Sequence, residues 1–129
     1  MKAITAEWVA KAEDDFALLV RESRVRKHPA HDAICFHAQQ CAEKYLKARL
    51  AQAAVPFGKI HALLPLLEQA LPLEPQWQAF REDMARLSAF AVAFRYPGES
   101  ADRHTVIDAI QRCRRFRKAA RAALRLEPS

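Results

Sequence analysis

Work on a phosphate group needs positive charge held in place, and one end of this chain is rich in it. Arg112, Arg114, Arg115, Arg117, Lys118, Arg121 and Arg125 follow one another with no acidic residue between them. Seven of the 21 basic residues lie in this run, so the other 14 stand against 15 acidic ones and sum to −1, within a whole-chain charge of +6. At helical spacing Arg114, Arg117, Lys118, Arg121 and Arg125 align into a positive ridge about 16 Å long. Such a ridge attracts phosphates, and it also keeps copies of a protein apart. A smaller cluster, Arg21, Arg24, Arg26 and Lys27 beside His28, reads as a well-solvated helix end whose cations suit the C-terminal dipole.

Arg95 is a different case. It closes a helical pattern just before the stop signal Tyr96-Pro97-Gly98, and continuing the helical count puts it beside Trp77 and Met84. A guanidinium on that apolar border needs a partner, because burying it unpaired is costly. Two partners are open: a carboxylate, carbonyl or phosphate across a crevice, or the exposed carbonyls at the end of its own helix. His61, ahead of a leucine-rich segment, either caps that helix or meets a ligand. Asp14-Asp15 and Glu82-Asp83 read as solvent-facing charges. There is no glycine-rich phosphate loop, no nucleophile elbow and no metal-ligand spacing, so neither a metal nor a cofactor is expected. Cys35, Cys41 and Cys113 read as buried, reduced thiols.

The elements that position these groups are helices. With two glycines in 129 residues and no alternating β-branched runs, the composition is that of helices joined by short turns around one core, a single domain over residues 1–129. The first helix starts near Thr5, whose hydroxyl would cap it, and buries Ile4, Trp8, Ala12, Phe16 and Leu19 before Pro29. The second, about His31 to Ala53, buries Ile34, Ala38, Cys41, Ala42, Tyr45 and Leu46 and leaves Phe36, Gln40, Glu43, Lys44 and Lys47 on an outward arc. A short helix follows from about His61 to Ala70, with Pro65 in its first turn. The next runs from about Gln76 to Phe94 with Trp77, Phe80, Met84, Leu87, Ala91 and Phe94 inward. The last, about Arg103 to Leu126, buries Val106, Ile110, Cys113, Phe116, Ala120 and Leu124. The expected architecture is an all-α, antiparallel up-and-down bundle of four long helices and one short one. No segment reaches the roughly 20 apolar residues of a membrane span and no signal peptide is legible, so a soluble, cytoplasmic protein is expected.

The string Phe36-His37-Ala38-Gln39-Gln40-Cys41-Ala42-Glu43-Lys44-Tyr45-Leu46-Lys47-Ala48 resembles the signature helix of the HEPN domain family. Pro56-Phe57-Gly58-Lys59-Ile60-His61-Ala62-Leu63 is similar to that family's Phe-x-Lys-x-His-x-Leu loop, and Arg95-Tyr96-Pro97-Gly98 to its Arg-Tyr-Pro segment. The three occur in the family's order. The resemblance implies a homodimer, with Phe36 and Tyr96 as contact points, and a nucleotide- or RNA-binding protein that works with a separately encoded minimal nucleotidyltransferase as the toxin-like half of the pair. It implies ligand-binding roles for Arg95, Tyr96, His61, Lys59 and Lys47.

Catalytic members of the family are attributed metal-independent RNA cleavage by an Arg followed about four to six residues later by a His, where imidazole moves the 2′-hydroxyl proton and guanidinium stabilises the phosphate charge. Here eight residues separate Arg95 from His104, around a Pro-Gly turn, so the pair is a ribonuclease candidate only if the loop folds back. A third reading is a non-catalytic dimeric adaptor that uses the Gln40, Glu43, Lys44 and Lys47 arc to hold a partner protein.

Overall fold

The computed structural model describes residues 1–128, and among them every regular element is helical: α1 (Ala3–Ser23), α2 (His31–Gln52), α3 (Leu63–Ala70), α4 (Arg81–Ala93) and α5 (Arg103–Ala123), with a 3-10 turn over Pro75–Phe80 ahead of α4. The long helices alternate in direction. The backbone amide of Lys2 reaches Gln52 Oε1 (3.1 Å), so the start of α1 lies against the end of α2. Asp83 meets Arg112 and Trp77 meets Phe116, so α4 runs against α5. The all-α up-and-down bundle is therefore present. No helix among the described residues is long and apolar enough to cross a membrane.

Helix α2 is the hub. Along its length Ile34, Cys35, Ala38, Cys41, Ala42, Tyr45, Leu46, Ala48 and Leu50 are all buried, because α1, α3, α4 and α5 each pack against it. Trp77 and Phe80 both set their ring edges against Phe116, at centroid distances of 5.0 and 5.3 Å, which locks the 3-10 turn and α4 onto α5. Both α2 and α5 stop on a left-handed residue. Ala54 (φ 57°) and Arg125 (φ 59°) turn the chain so that Val55 N–H donates to Leu50 O (2.9 Å) and Leu126 N–H to Arg121 O (2.9 Å). At the other end of α5, Asp102 accepts from the Thr105 amide (2.8 Å) as a side-chain cap.

Three local expectations are corrected. Helix α1 begins at Ala3, so Thr5 lies inside its first turn, fully buried with its hydroxyl unpartnered, while Ile4 faces solvent. The inward stripe is accordingly Thr5, Val9, Ala12 and Leu19, one residue out of step with the expected one at its start. The segment expected as one helix from Gln76 is a 3-10 turn followed by an α-helix. Helix α3 starts at Leu63, so His61 precedes it and does not cap it.

Candidate functional site

Helices α1 and α5 both lie on α2, and side chains of the two line one groove, a cleft of about 660 Å³ beside the C-terminal half of α5 whose walls include Phe16, Arg114, Arg117, Lys118 and Arg121. Four cations therefore share the cleft, and two of them lie against its aromatic ring. The Arg117 guanidinium lies 4.2 Å over the centroid of Phe16 and that of Arg114 lies 5.9 Å from it.

A single carboxylate organises this cleft. Glu13 on α1 accepts two hydrogen bonds from Arg117, Nε at 2.8 Å and Nη2 at 2.7 Å, in a bidentate pair. The Tyr45 hydroxyl also donates to Glu13, and Arg121 Nη1 donates to Tyr45 Oη at 3.1 Å. Arg121 additionally holds the Glu127 carbonyl through Nε (2.9 Å) and Nη2 (2.7 Å), folding the chain end over the cleft. Burial alone would raise the Glu13 carboxyl, but the bonds from Arg117 and Tyr45 outweigh it and hold the group below its usual range. Burial and the bond to Glu13 push the Tyr45 phenol far above its ordinary value, so it stays a neutral donor. Arg117 and Arg121 are thus locked in place. Arg114 and Lys118 are exposed and carry no ion pair among the described residues.

The expected ridge is therefore not one uniform solvated surface. Arg117 is only 8% exposed, and Arg125, in its left-handed turn, lies beyond the end of α5. Glu13 was invisible as a partner in sequence because 104 positions separate it from Arg117, and Phe16 read as core although it lines the cleft. One signal was available: a tyrosine inside an apolar stripe requires a partner for its hydroxyl.

The loop between α4 and α5 holds a second set of candidates. Helix α4 ends at Ala93, so Arg95 leaves the helical register and is exposed, instead of bordering Trp77 and Met84. Its amide donates to Val92 O (3.3 Å), while its side chain has no hydrogen-bond or ion-pair partner among the described residues. Tyr96 is 66% exposed, and His104 is exposed in the first turn of α5. No hydrogen bond or ring contact joins Arg95 to His104 among the described residues. The far end of the loop is anchored instead to the start of α2: the Ala101 amide donates to Asp32 Oδ1 (2.7 Å) and His31 Nδ1 lies 3.2 Å from Ala101 O.

The arc of α2 expected to face a partner is largely enclosed. Glu43 is 4% and Lys47 3% exposed, and the two pair at 3.0 Å. Glu43 also accepts from Gln39 Nε2 (3.1 Å) and meets His61 Nδ1 (3.1 Å), while the Lys47 ammonium lies 5.2 Å from the Trp8 ring and 5.6 Å from the Phe57 ring. Lys44 is bound to Asp15 (2.5 Å), which also holds His37 (2.7 Å). Helix α1 and the loop before α3 cover this face, so of the arc only Phe36 is exposed, at 42%. Lys59 and most of His61 remain at the surface. Among the described residues no three His, Cys, Asp or Glu side chains are placed to share a metal ion.

Comparison with known proteins brings one match. A family model described as the HEPN domain covers residues 5–123 of the chain. No curated protein and no solved structure matches it.

Proposed function

The chain belongs to the HEPN domain family, and from that premise we propose that it binds a nucleotide or RNA through its phosphates in the α1/α5 cleft. It does so as the toxin-like partner of a separately encoded minimal nucleotidyltransferase. The observation that carries the binding role is the imbalance of charge at the cleft, where Arg114, Arg117, Lys118 and Arg121 stand on the walls and one carboxylate, Glu13, pairs two of them, Arg117 and Arg121. Because Glu13 fixes two of the cations before any ligand arrives, little ordering remains to oppose binding. Arg114 and Lys118, which carry no ion pair among the described residues, then supply charge for the phosphates. Arg95 and Tyr96, exposed on the α4–α5 loop, provide a second grip on phosphate or base.

The test is binding of single-stranded RNA and ATP to the full chain, read by fluorescence anisotropy at two salt concentrations. Replacing Arg114 and Lys118 together by Ala should weaken binding by roughly tenfold or more and flatten its salt dependence, since each lost phosphate contact removes counterion release. Arg95→Ala should weaken it several-fold with helicity unchanged. Equal binding by the double variant and the parent removes the cleft from the site. Co-purification with a neighbouring minimal nucleotidyltransferase, and a dimeric mass lost on changing Phe36 or Tyr96 to a charged residue, would test the two partner assignments; a monomeric parent protein would dispose of the dimer.

A further inference from the structure

The end of the bundle where α1 stops and α2 and α5 begin carries a second cleft, of about 420 Å³, that shares no lining residue with the one beside Glu13. Its floor is aliphatic, with Ile34 and Val106 buried and Ile110 half-buried. Val25 and Ile107, from different elements, are left exposed beside that floor. A single exposed apolar side chain is ordinary, but two that meet over an aliphatic floor leave a patch without a cover. Three exposed guanidiniums, those of Arg24, Arg26 and Arg103, line the same cleft, and none has a hydrogen-bond or ion-pair partner among the described residues. No carboxylate lines it. The acids that stand near these arginines in sequence are engaged elsewhere: Glu22 accepts from the Ala30 amide (2.9 Å), Asp32 from the Ala101 amide (2.7 Å), Asp102 from the Thr105 amide (2.8 Å) and Asp108 from Arg112 Nε (3.0 Å). The first two of these bonds also tie the end of α1 and the approach to α5 onto the start of α2, so the walls are fixed before anything binds.

We propose that this cleft docks an acidic segment of a partner protein: a large aliphatic or aromatic side chain enters over Ile34, Val106 and Ile110 while Asp or Glu carboxylates on either side of it pair with Arg24, Arg26 and Arg103. Charge complementarity sets the sign of the occupant, and the floor sets its class. Guanidinium forks match carboxylates in bidentate geometry. A nucleic-acid strand is held by aromatic rings on which its bases stack, and no Phe, Tyr or Trp lines this cleft. Its volume lies near the lower end of the range of about 300–1,000 Å³ that buries a small ligand, which is room for the anchor of a segment and not for a whole folded face. An apolar anchor taken out of water between arginines is the arrangement that carries most of the energy of a protein interface. The site stands apart from the Glu13 cleft and is independent of what that cleft binds.

The experiment titrates the full chain into a fluorescein-labelled peptide of twelve residues in which Leu and Phe are flanked on both sides by Asp and Glu, and reads its anisotropy. Saturable binding is expected. It should weaken by roughly tenfold or more when the Leu and Phe of the peptide are replaced by Ser with the acids kept, and again when Arg24→Glu and Arg103→Glu are combined in the protein. Both positions are exposed, and circular dichroism checks the helicity of the variant. Arg114 and Lys118 changed together to Ala should leave peptide affinity within about twofold of the parent, since neither lines this cleft and distant charges are screened. In methyl NMR spectra Ile34, Val106, Ile107 and Ile110 should shift as peptide is added, while Leu126, on the wall of the Glu13 cleft, stays in place. Equal affinity for the Ser peptide reduces the binding to charge alone and overturns the docking site. Peptide binding that survives in the Arg24 and Arg103 variant but is lost in the Arg114 and Lys118 variant overturns it as well. An oligouridylate octamer that displaces the peptide from the parent and is itself weakened by the Arg24 and Arg103 changes assigns the cleft to nucleic acid and strikes out the protein partner. No saturable peptide binding at low salt does the same.

Discussion

Two polar faces of this molecule differ in what their charges do. On α2, inside the signature string, Gln39, Gln40, Glu43, Lys47 and His61 form a closed circuit in which each charged group has its partner within the same chain. On α5, the groove face keeps Arg114 and Lys118 without an ion pair among the described residues, beside Arg117 and Arg121, which Glu13 holds in place. The first face spends its specificity on assembling α1, α2 and the loop before α3. The second leaves positive charge facing outward. The charges of the signature string are thus taken up within the fold, whereas α5 carries cations without an ion pair among the described residues.

The strongest way to break this contrast is to open the α2 circuit. Glu43→Ala leaves the Lys47 ammonium enclosed against Trp8 and Phe57 with no carboxylate. Removing one partner of a buried pair costs about 3–5 kcal/mol, a large share of the whole stability of a domain this size. Urea denaturation should show a loss of that order, and Glu43→Gln combined with Lys47→Met should recover most of it. RNA affinity per folded molecule should be unchanged in both. If Glu43→Ala instead abolished binding at full stability, the signature face would be the site and the contrast would be reversed.

The Arg114 and Lys118 double variant sharpens the comparison from the other side. Its binding loss of roughly tenfold corresponds to about 1.4 kcal/mol, yet its unfolding free energy should stay within about 0.5 kcal/mol of the parent, because exposed unpaired cations contribute little to folding. Opposite behaviour of the two variants, one losing fold and keeping affinity, the other the reverse, is the pattern expected.

Periodicity made the bundle legible. The Trp77, Met84 and Leu87 stripe and the Val106, Cys113, Phe116 and Ala120 stripe lie inward as their spacing requires, since a helix buried on one side repeats every three or four residues. The departures from that pattern lie at element boundaries. Ile4 and Thr5 exchange places because α1 begins at Ala3, and Arg95 leaves the Trp77 side because α4 ends at Ala93. Of the groove, the cations were visible as a charge run, but their pairing was not. Glu13 and Arg117 are joined across nearly the whole chain, and no local pattern carries such information. The enclosure of Lys47 was equally hidden, since Trp8 and Phe57 reach it from different elements.

The smallest effect tests whether Glu13 is the organiser of the groove. Its folded-state carboxyl titrates below the ordinary glutamate value of 4.5, with burial opposing the shift and the bonds from Arg117 and Tyr45 more than offsetting it. A group depressed on folding adds stability that is fully present above its unfolded value and disappears as pH falls through its folded one. The difference in unfolding free energy between the parent and Glu13→Gln should therefore be constant from pH 7 down to about 5 and shrink below 4.5. Partial exposure of Glu13 keeps the change modest through solvent screening. The same variant frees Arg117 from its bidentate partner, so at pH 7 the groove gains net positive charge but loses the fixed position of that guanidinium. If preorganisation dominates, RNA affinity falls despite the added charge. A rise in affinity would mean that charge alone governs the groove, and Glu13 would then be a brake on binding instead of its scaffold.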